Sequence, residues 1–248
     1  MDNWFWMLPP MLAGILVLVS HIPLGQQVLR RGIVFIDLAI AQTAAVGVLV
    51  GESLGMGALV ESAFASGFAV AGAILVASLS RAWPARREAL IGLLYVGAAS
   101  VTVFWVSSDA HGMQRVSLLL SGDVLWTTWP AMLPLLMATV VYCALWYWRR
   151  DLMERDTFFY PAFAVLVSFS VPLLGLYLVF VCLIAPALWI ERSGKPWLSG
   201  LTAGAVFVIG VLLSYWFDWP TGTTVGIAMI ATGLPLLGNR WRRSDVAA

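Results

Sequence analysis

Apolar residues run through this chain in long blocks, separated by short stretches that carry the charges and many of the prolines and glycines. Blocks of roughly 18 to 25 apolar residues are the length an α-helix needs to cross the hydrocarbon core of a bilayer. They fall at residues 4–26, 32–54, 56–79, 88–106, 126–148, 158–174, 175–190, 197–217 and 221–237, which predicts nine spanning helices. The least defined division lies within residues 158–190, where Pro172 and Gly175 mark a break. Two short spans, or one long span with a re-entrant piece, fit that stretch equally, so an eight-helix count stays open.

The basic residues orient the blocks. Arg30 and Arg31 follow the first, Arg81, Arg86 and Arg87 the third, and Arg149, Arg150 and Arg155 the fifth. Arg192 and Lys195 follow the seventh, and Arg240, Arg242 and Arg243 the ninth. Thirteen of the fourteen Lys and Arg therefore fall on one side, with Arg115 the exception among Asp2, Glu52, Asp109, His111 and Asp218 on the other. Because basic loops stay cytoplasmic, the N-terminus is expected outside and the C-terminus inside.

Composition raises this from a pattern to a class. Of 248 residues 61% are hydrophobic and 11% charged, with 13 tryptophans, and the mean hydropathy is +0.90. No soluble domain of this size covers so much apolar surface. The expectation is an all-α polytopic membrane protein, and with no long polar linker it reads as one domain, residues 1–248. Cys143 and Cys182 lie in apolar runs without metal-type spacing, which argues against a disulfide framework or a thiolate site. The net charge of +1 gives no sign of a nucleic-acid partner. The first apolar run lacks a basic leader and is expected to be a span rather than a cleaved signal.

Missing motifs narrow the energy source. Gly194 and Lys195 are followed by Pro196, not by Ser or Thr, and no glycine-rich phosphate loop precedes them. The metalloprotease His-Glu-x-x-His and the Gly-x-Ser-x-Gly of hydrolases are absent too, so an enzyme is not expected. Thr223 to Ile227 resembles a potassium selectivity filter but opens a terminal span instead of joining a pore helix to a lining helix. One charge remains unexplained: Asp37, a lone carboxylate inside the apolar stretch 32–51. A charge at membrane depth costs several kcal/mol, so a functional role is the first reading, and an ion pair or hydrogen bond to a neighbouring helix is the structural one.

Five stretches resemble the permease subunit of the zinc, manganese and iron importers of the ABC superfamily, whose fold is related to that of the vitamin B12 and siderophore permeases. They are Leu24-Gly25 through Arg30-Arg31 to Asp37-Leu38-Ala39; Glu88 to Gly92; Leu120-Ser121-Gly122-Asp123-Val124-Leu125-Trp126; Gly175 through Leu183-Ile184-Ala185-Pro186-Ala187; and Asp218-Trp219-Pro220-Thr221-Gly222. Their order covers roughly residues 24–237. The resemblance implies a type II ABC importer fold in a bacterial inner membrane. It further implies two copies around a two-fold pathway lined by Asp37 from each, separate cytoplasmic ATPase subunits, and an external metal-binding protein. The metal is substrate, with no covalently bound cofactor.

The chain departs from that family where it matters most. A family member carries His four residues after the second-helix Asp, and the pair is taken to bind the metal, but here the fourth residue is Ala41 and the fifth Gln42. Residues five apart lie about 140° from each other around a helix, so Asp37 and Gln42 converge only through a π-bulge. Gln42 is either a ligand or a polar helix contact. His21, about as far as Asp37 from a turn near Val28 and Leu29, is the other candidate ligand, with a hydrogen-bonded helix position as its structural alternative. Oxygen ligation favours manganese or iron, and added imidazole favours zinc.

At the external face Glu52, Glu61, His111 and Asp123 are candidate vestibule or docking residues, with a plain solvated role as the alternative for the first three and a pairing with Arg115 for Asp123. On the inner side Pro186, Ala187, Glu191, Arg192 and Lys195 are candidates for the element that couples to the ATPase, with Pro186 expected to start a short helix. The segment 149–163 differs from the family, so part of that contact is expected to be trimmed. The function expected is ATP-driven import of a divalent metal by alternating access. The alternatives are a permease for a metal chelate or other cargo, and a stand-alone ion-coupled carrier or channel.

Overall fold

The computed structural model describes residues 4–55, 57–107 and 124–238, and every regular element among them is helical. The described residues include nine long helices: α1 Leu8–Arg31, α2 Ile36–Ser53, α3 Ala58–Ala82, α4 Arg87–Val106, α5 Trp129–Trp148, α6 Asp156–Leu174, α7 Leu176–Ser193, α8 Pro196–Phe217 and α9 Thr221–Gly238. By length and composition, eight of the described helices, α1 to α8, can cross a membrane. The boundaries lie within four residues of the apolar blocks except at the end of α1, which continues through Pro23, Gly25 and two glutamines to Arg31. Gly32 stops it in the left-handed region at φ 60° and turns its N–H back to the carbonyls of Leu29 and Val28.

The doubtful stretch 158–190 resolves into two helices, with Gly175 alone between them at φ 84°. Pro172 does not make that break; it lies inside α6. Residues 150–153 form one turn of helix in the α5–α6 connection.

Burial divides the helices into two sets. In α1, α2, α6 and α7 half or more of the spanning window is buried, whereas in α3, α4, α5 and α8 a third or less is. The first set forms the interior: α1 packs on α7 and α6, and α2 packs on α3, α4, α6 and α7. Phe159, Phe163 and Leu166 of α6 and Phe207 of α8 are among its largest fully enclosed side chains. Without a hydrophobic drive between helices in lipid, close approach through small residues holds such a bundle. A Cβ on Gly25 of α1 would lie 2.0 Å from the Leu183 carbonyl oxygen of α7, and one on Gly47 of α2 would lie 2.5 Å from the Phe64 carbonyl oxygen of α3.

Candidate functional site

Asp37 lies in the first turn of α2, where the helix N-terminus favours a negative charge. Its side chain is 0% exposed, and neither carboxylate oxygen has a hydrogen-bond partner. The ion pair or interhelical hydrogen bond that would make it structural is therefore not formed. Its own chain encloses it in this conformation: α3, α4, α6 and α7 cover the helix that carries it.

His21 has the opposite surroundings. It is equally buried, but its Nδ1 lies 3.1 Å from the Val17 carbonyl oxygen and 3.0 Å from Ser20 Oγ. Its Nε2 lies 3.3 Å from Ser170 Oγ on α6. Both ring nitrogens thus have protein partners, and no hydrogen bond joins His21 to Asp37. The ring joins α1 to α6, the structural alternative weighed from the sequence.

Gln42 is not brought round to Asp37, because α2 is a regular α-helix with no π-bulge. The amide faces instead a cavity of about 40 Å³ lined by Ala41, Ala45, Ala65, Ser168, Pro172 and Leu176, among others. Ser168 Oγ, at its wall, lies 3.2 Å from Ser66 Oγ of α3. That volume holds a water or two.

A second cavity establishes how the helices run past one another. Gln26, Leu29 and Arg30 from the end of α1 and Ala187, Ile190 and Glu191 from the end of α7 line one groove of about 360 Å³. The two helices therefore end on the same side, and α2, returning from Gly32, runs antiparallel to both. Leu176 shares the upper cavity with Gln42. From there, five residues back along α2 reach Asp37 and six forward along α7 reach Cys182, displacements of roughly 7.5 and 9 Å in the same direction. Cys182 is fully buried. The absence of metal-type spacing around this cysteine hid it in the sequence.

The coupling candidates divide. Pro186 does not start a short helix; it lies inside α7, which is continuous from Leu176 to Ser193, and both it and Ala187 are buried. Ala187 packs beside Gly25 of α1. The proline at a helix start is Pro196, in α8, after Gly194 turns the chain at φ 64°. Glu191 and Lys195 are exposed at this end and Arg192 half-buried, so the polar part of the predicted element lies at the rim where α7 ends. Of the external candidates, Glu52 is exposed at the end of α2, and Glu61 is half-buried where Gly51 packs on it. His111 and Asp123 lie outside the described residues. Among the described residues no group of three or more His, Cys, Asp and Glu gathers to hold a metal ion.

One cation was not singled out from the sequence. Arg31, the last residue of α1, places Nε 3.3 Å from Asp156 Oδ1 and donates from Nη1 to Gln27 Oε1 at 3.0 Å. It also donates to the Glu154 carbonyl and stacks 4.1 Å from the centre of the Phe159 ring.

The fold is shared with solved structures. PsaBC from Streptococcus pneumoniae, solved in complex with Fab, superposes with a TM-score of 0.74 at 16% identity, over 95% of this chain and 92% of that one. An ABC transporter described as of metal-chelate type, in an inward-facing conformation, gives 0.62 at 17% identity over 95% and 85%. No curated protein sequence matches the chain. A sequence model described as the ABC 3 transport family matches residues 3–195, and the chain belongs to that family as the membrane-spanning permease of an ABC transporter.

Proposed function

We propose that the chain is the transmembrane subunit of an ATP-driven importer for a divalent metal ion of the zinc, manganese or iron group. Two copies form the translocation unit in a bacterial inner membrane, an extracytoplasmic metal-binding protein delivers the ion, and separate ATPase subunits supply the work. The observation that carries this reading is Asp37, fully buried with both oxygens unpartnered. A carboxylate without a counter-charge is unstable in such a place, and a divalent cation supplies what it lacks. Family membership supplies the transport class.

The cycle follows from where Asp37 lies. In the conformation described, the carboxylate is closed off by α3, α4, α6 and α7, so alternating access must part these helices on one face at a time. The groove at the inner ends of α1 and α7, flanked by Glu191, Arg192 and Lys195, is where ATPase movement is transmitted to that seam. No covalent change happens to the ion.

A chelate permease is the second reading. The metal-chelate type transporter among the structural relatives and the lack of a three-residue ligand group among the described residues favour it. The assembled complex with its ATPase and binding protein decides between them. Stimulation of ATP hydrolysis by free zinc or manganese, lost in Asp37→Ala, is the expected result. Stimulation by a metal chelate alone, unaffected by Asp37→Ala, would replace metal import with chelate import. Transport that persists without the ATPase would indicate a stand-alone carrier.

A further inference from the structure

The chain has no imidazole one turn after Asp37, yet another metal-ligating side chain stands on the neighbouring helix. We propose that Cys182 of α7 completes the Asp37 site, holding the cargo between a carboxylate oxygen and a thiolate sulfur, and that the permease thereby selects a thiophilic ion of the zinc type over manganese. This rests on the metal-import reading above.

Three observations converge on that pair. The antiparallel register of α2 and α7, set where Gln42 and Leu176 share a cavity, brings Cys182 level with Asp37. Both side chains are 0% exposed, so the pair is closed from water and from lipid. Asp37 presents two oxygens with no partner to this interior, which a cysteine serving only as a small buried hydrophobe does not account for.

The main chain adds a donor. Pro186 lies inside α7 and has no N–H, so the carbonyl four residues earlier, that of Cys182 itself, lacks its helical partner. A carboxylate, a thiolate and a carbonyl form a mixed set. Zinc accepts sulfur and oxygen donors together in tetrahedral sites, whereas manganese favours oxygen. When sulfur takes the ion the thiol proton leaves to solvent, so binding releases a proton.

The test uses the full chain in lipid nanodiscs and cobalt(II) as a spectroscopic substitute for zinc. A sulfur-to-cobalt charge-transfer band is expected in the wild type. It survives in Cys143→Ala, which removes the half-buried cysteine of α5, and disappears in Cys182→Ala. In Cys182→Ser zinc affinity falls by more than about tenfold, the scale of loss seen even for outer-shell partners, while manganese affinity stays within about twofold. Cobalt bound by the wild type without a sulfur band overturns cysteine ligation and leaves the import reading standing, and this needs no variant to fold. A band lost in Cys143→Ala instead also overturns it. A folded wild type that binds none of cobalt, zinc or manganese overturns both.

Discussion

His21 and Asp37 are both 0% exposed in this bundle, and they solve burial in opposite ways. The histidine satisfies both ring nitrogens within the protein, through Val17, Ser20 and Ser170, whereas the aspartate satisfies neither oxygen. Buried polar groups are ordinarily paired because an orphan costs about 1–3 kcal/mol, more if charged. A satisfied group serves the fold. On the proposed function, the group left unsatisfied serves an ion that arrives from outside.

The largest effect is expected where the two roles separate most cleanly. Replacing Asp37 with Asn or Ala removes the proposed ligand but breaks no hydrogen bond. Metal-stimulated ATPase activity should fall by about 100-fold, at the upper end of ligand-shell losses, while the melting temperature of the purified complex holds or rises. A variant that melts early with activity in proportion to the folded fraction would make Asp37 structural after all and erase the contrast with His21.

The seam between the two groups is the next place to press. Gly25 lies on α1 one turn below His21, and a Cβ there meets the Leu183 carbonyl oxygen at 2.0 Å, a backbone atom of the helix that carries Cys182. Gly25→Ala has to push α1 and α7 apart, an overpacking cost of about 1–3 kcal/mol. Thermal unfolding in detergent checks it, and metal affinity should drop along with stability because α7 moves relative to Asp37. An unshifted melting temperature would mean that the helices slide freely at this crossing.

His21→Ala should do the converse of Asp37→Asn. It leaves Ser170 without its ring partner and opens space in the interior, costing about 1–3 kcal/mol, and it should leave zinc affinity within about twofold. Isothermal titration alongside a melting curve separates the two quantities. A loss of affinity with no loss of stability would return His21 to the candidate ligands.

Much of this architecture was legible in the pattern of apolar blocks, because a bilayer imposes length and hydropathy on each helix separately. Asp37 stood out for the same reason: one charge in a span is visible without knowing its neighbours. What could not be read is whatever depends on which helices adjoin. Cys182 has no nearby Cys or His in the chain, so spacing dismissed it, and only the antiparallel passage of α2 and α7 brings it level with the carboxylate. Pro186 was misread on local grounds. A proline after an apolar run fits a helix start, but the packing of Ala187 on Gly25 keeps α7 going through it, and Pro196 takes the N-terminal position instead.

Arg31 gives the smallest effect and the sharpest check on whether this end of the bundle belongs to the His21 half of the comparison. It ties the end of α1 to the start of α6 through Asp156 at 3.3 Å and the Phe159 ring, and to the α5–α6 connection through the Glu154 carbonyl. Asp156 is well exposed, so the ion pair itself contributes little, and the stacking and carbonyl bond carry most of the cost. Arg31→Gln keeps one amide donor and gives up the charge, and should lower stability by about 0.5–1.5 kcal/mol. Because the contacts join the base of α1 to the base of α6, the loss should appear as faster hydrogen exchange across residues 150–156, with zinc affinity unchanged. Should affinity fall while exchange does not move, the inner end of α1 would belong to the transport machinery and not to the scaffold that His21 serves.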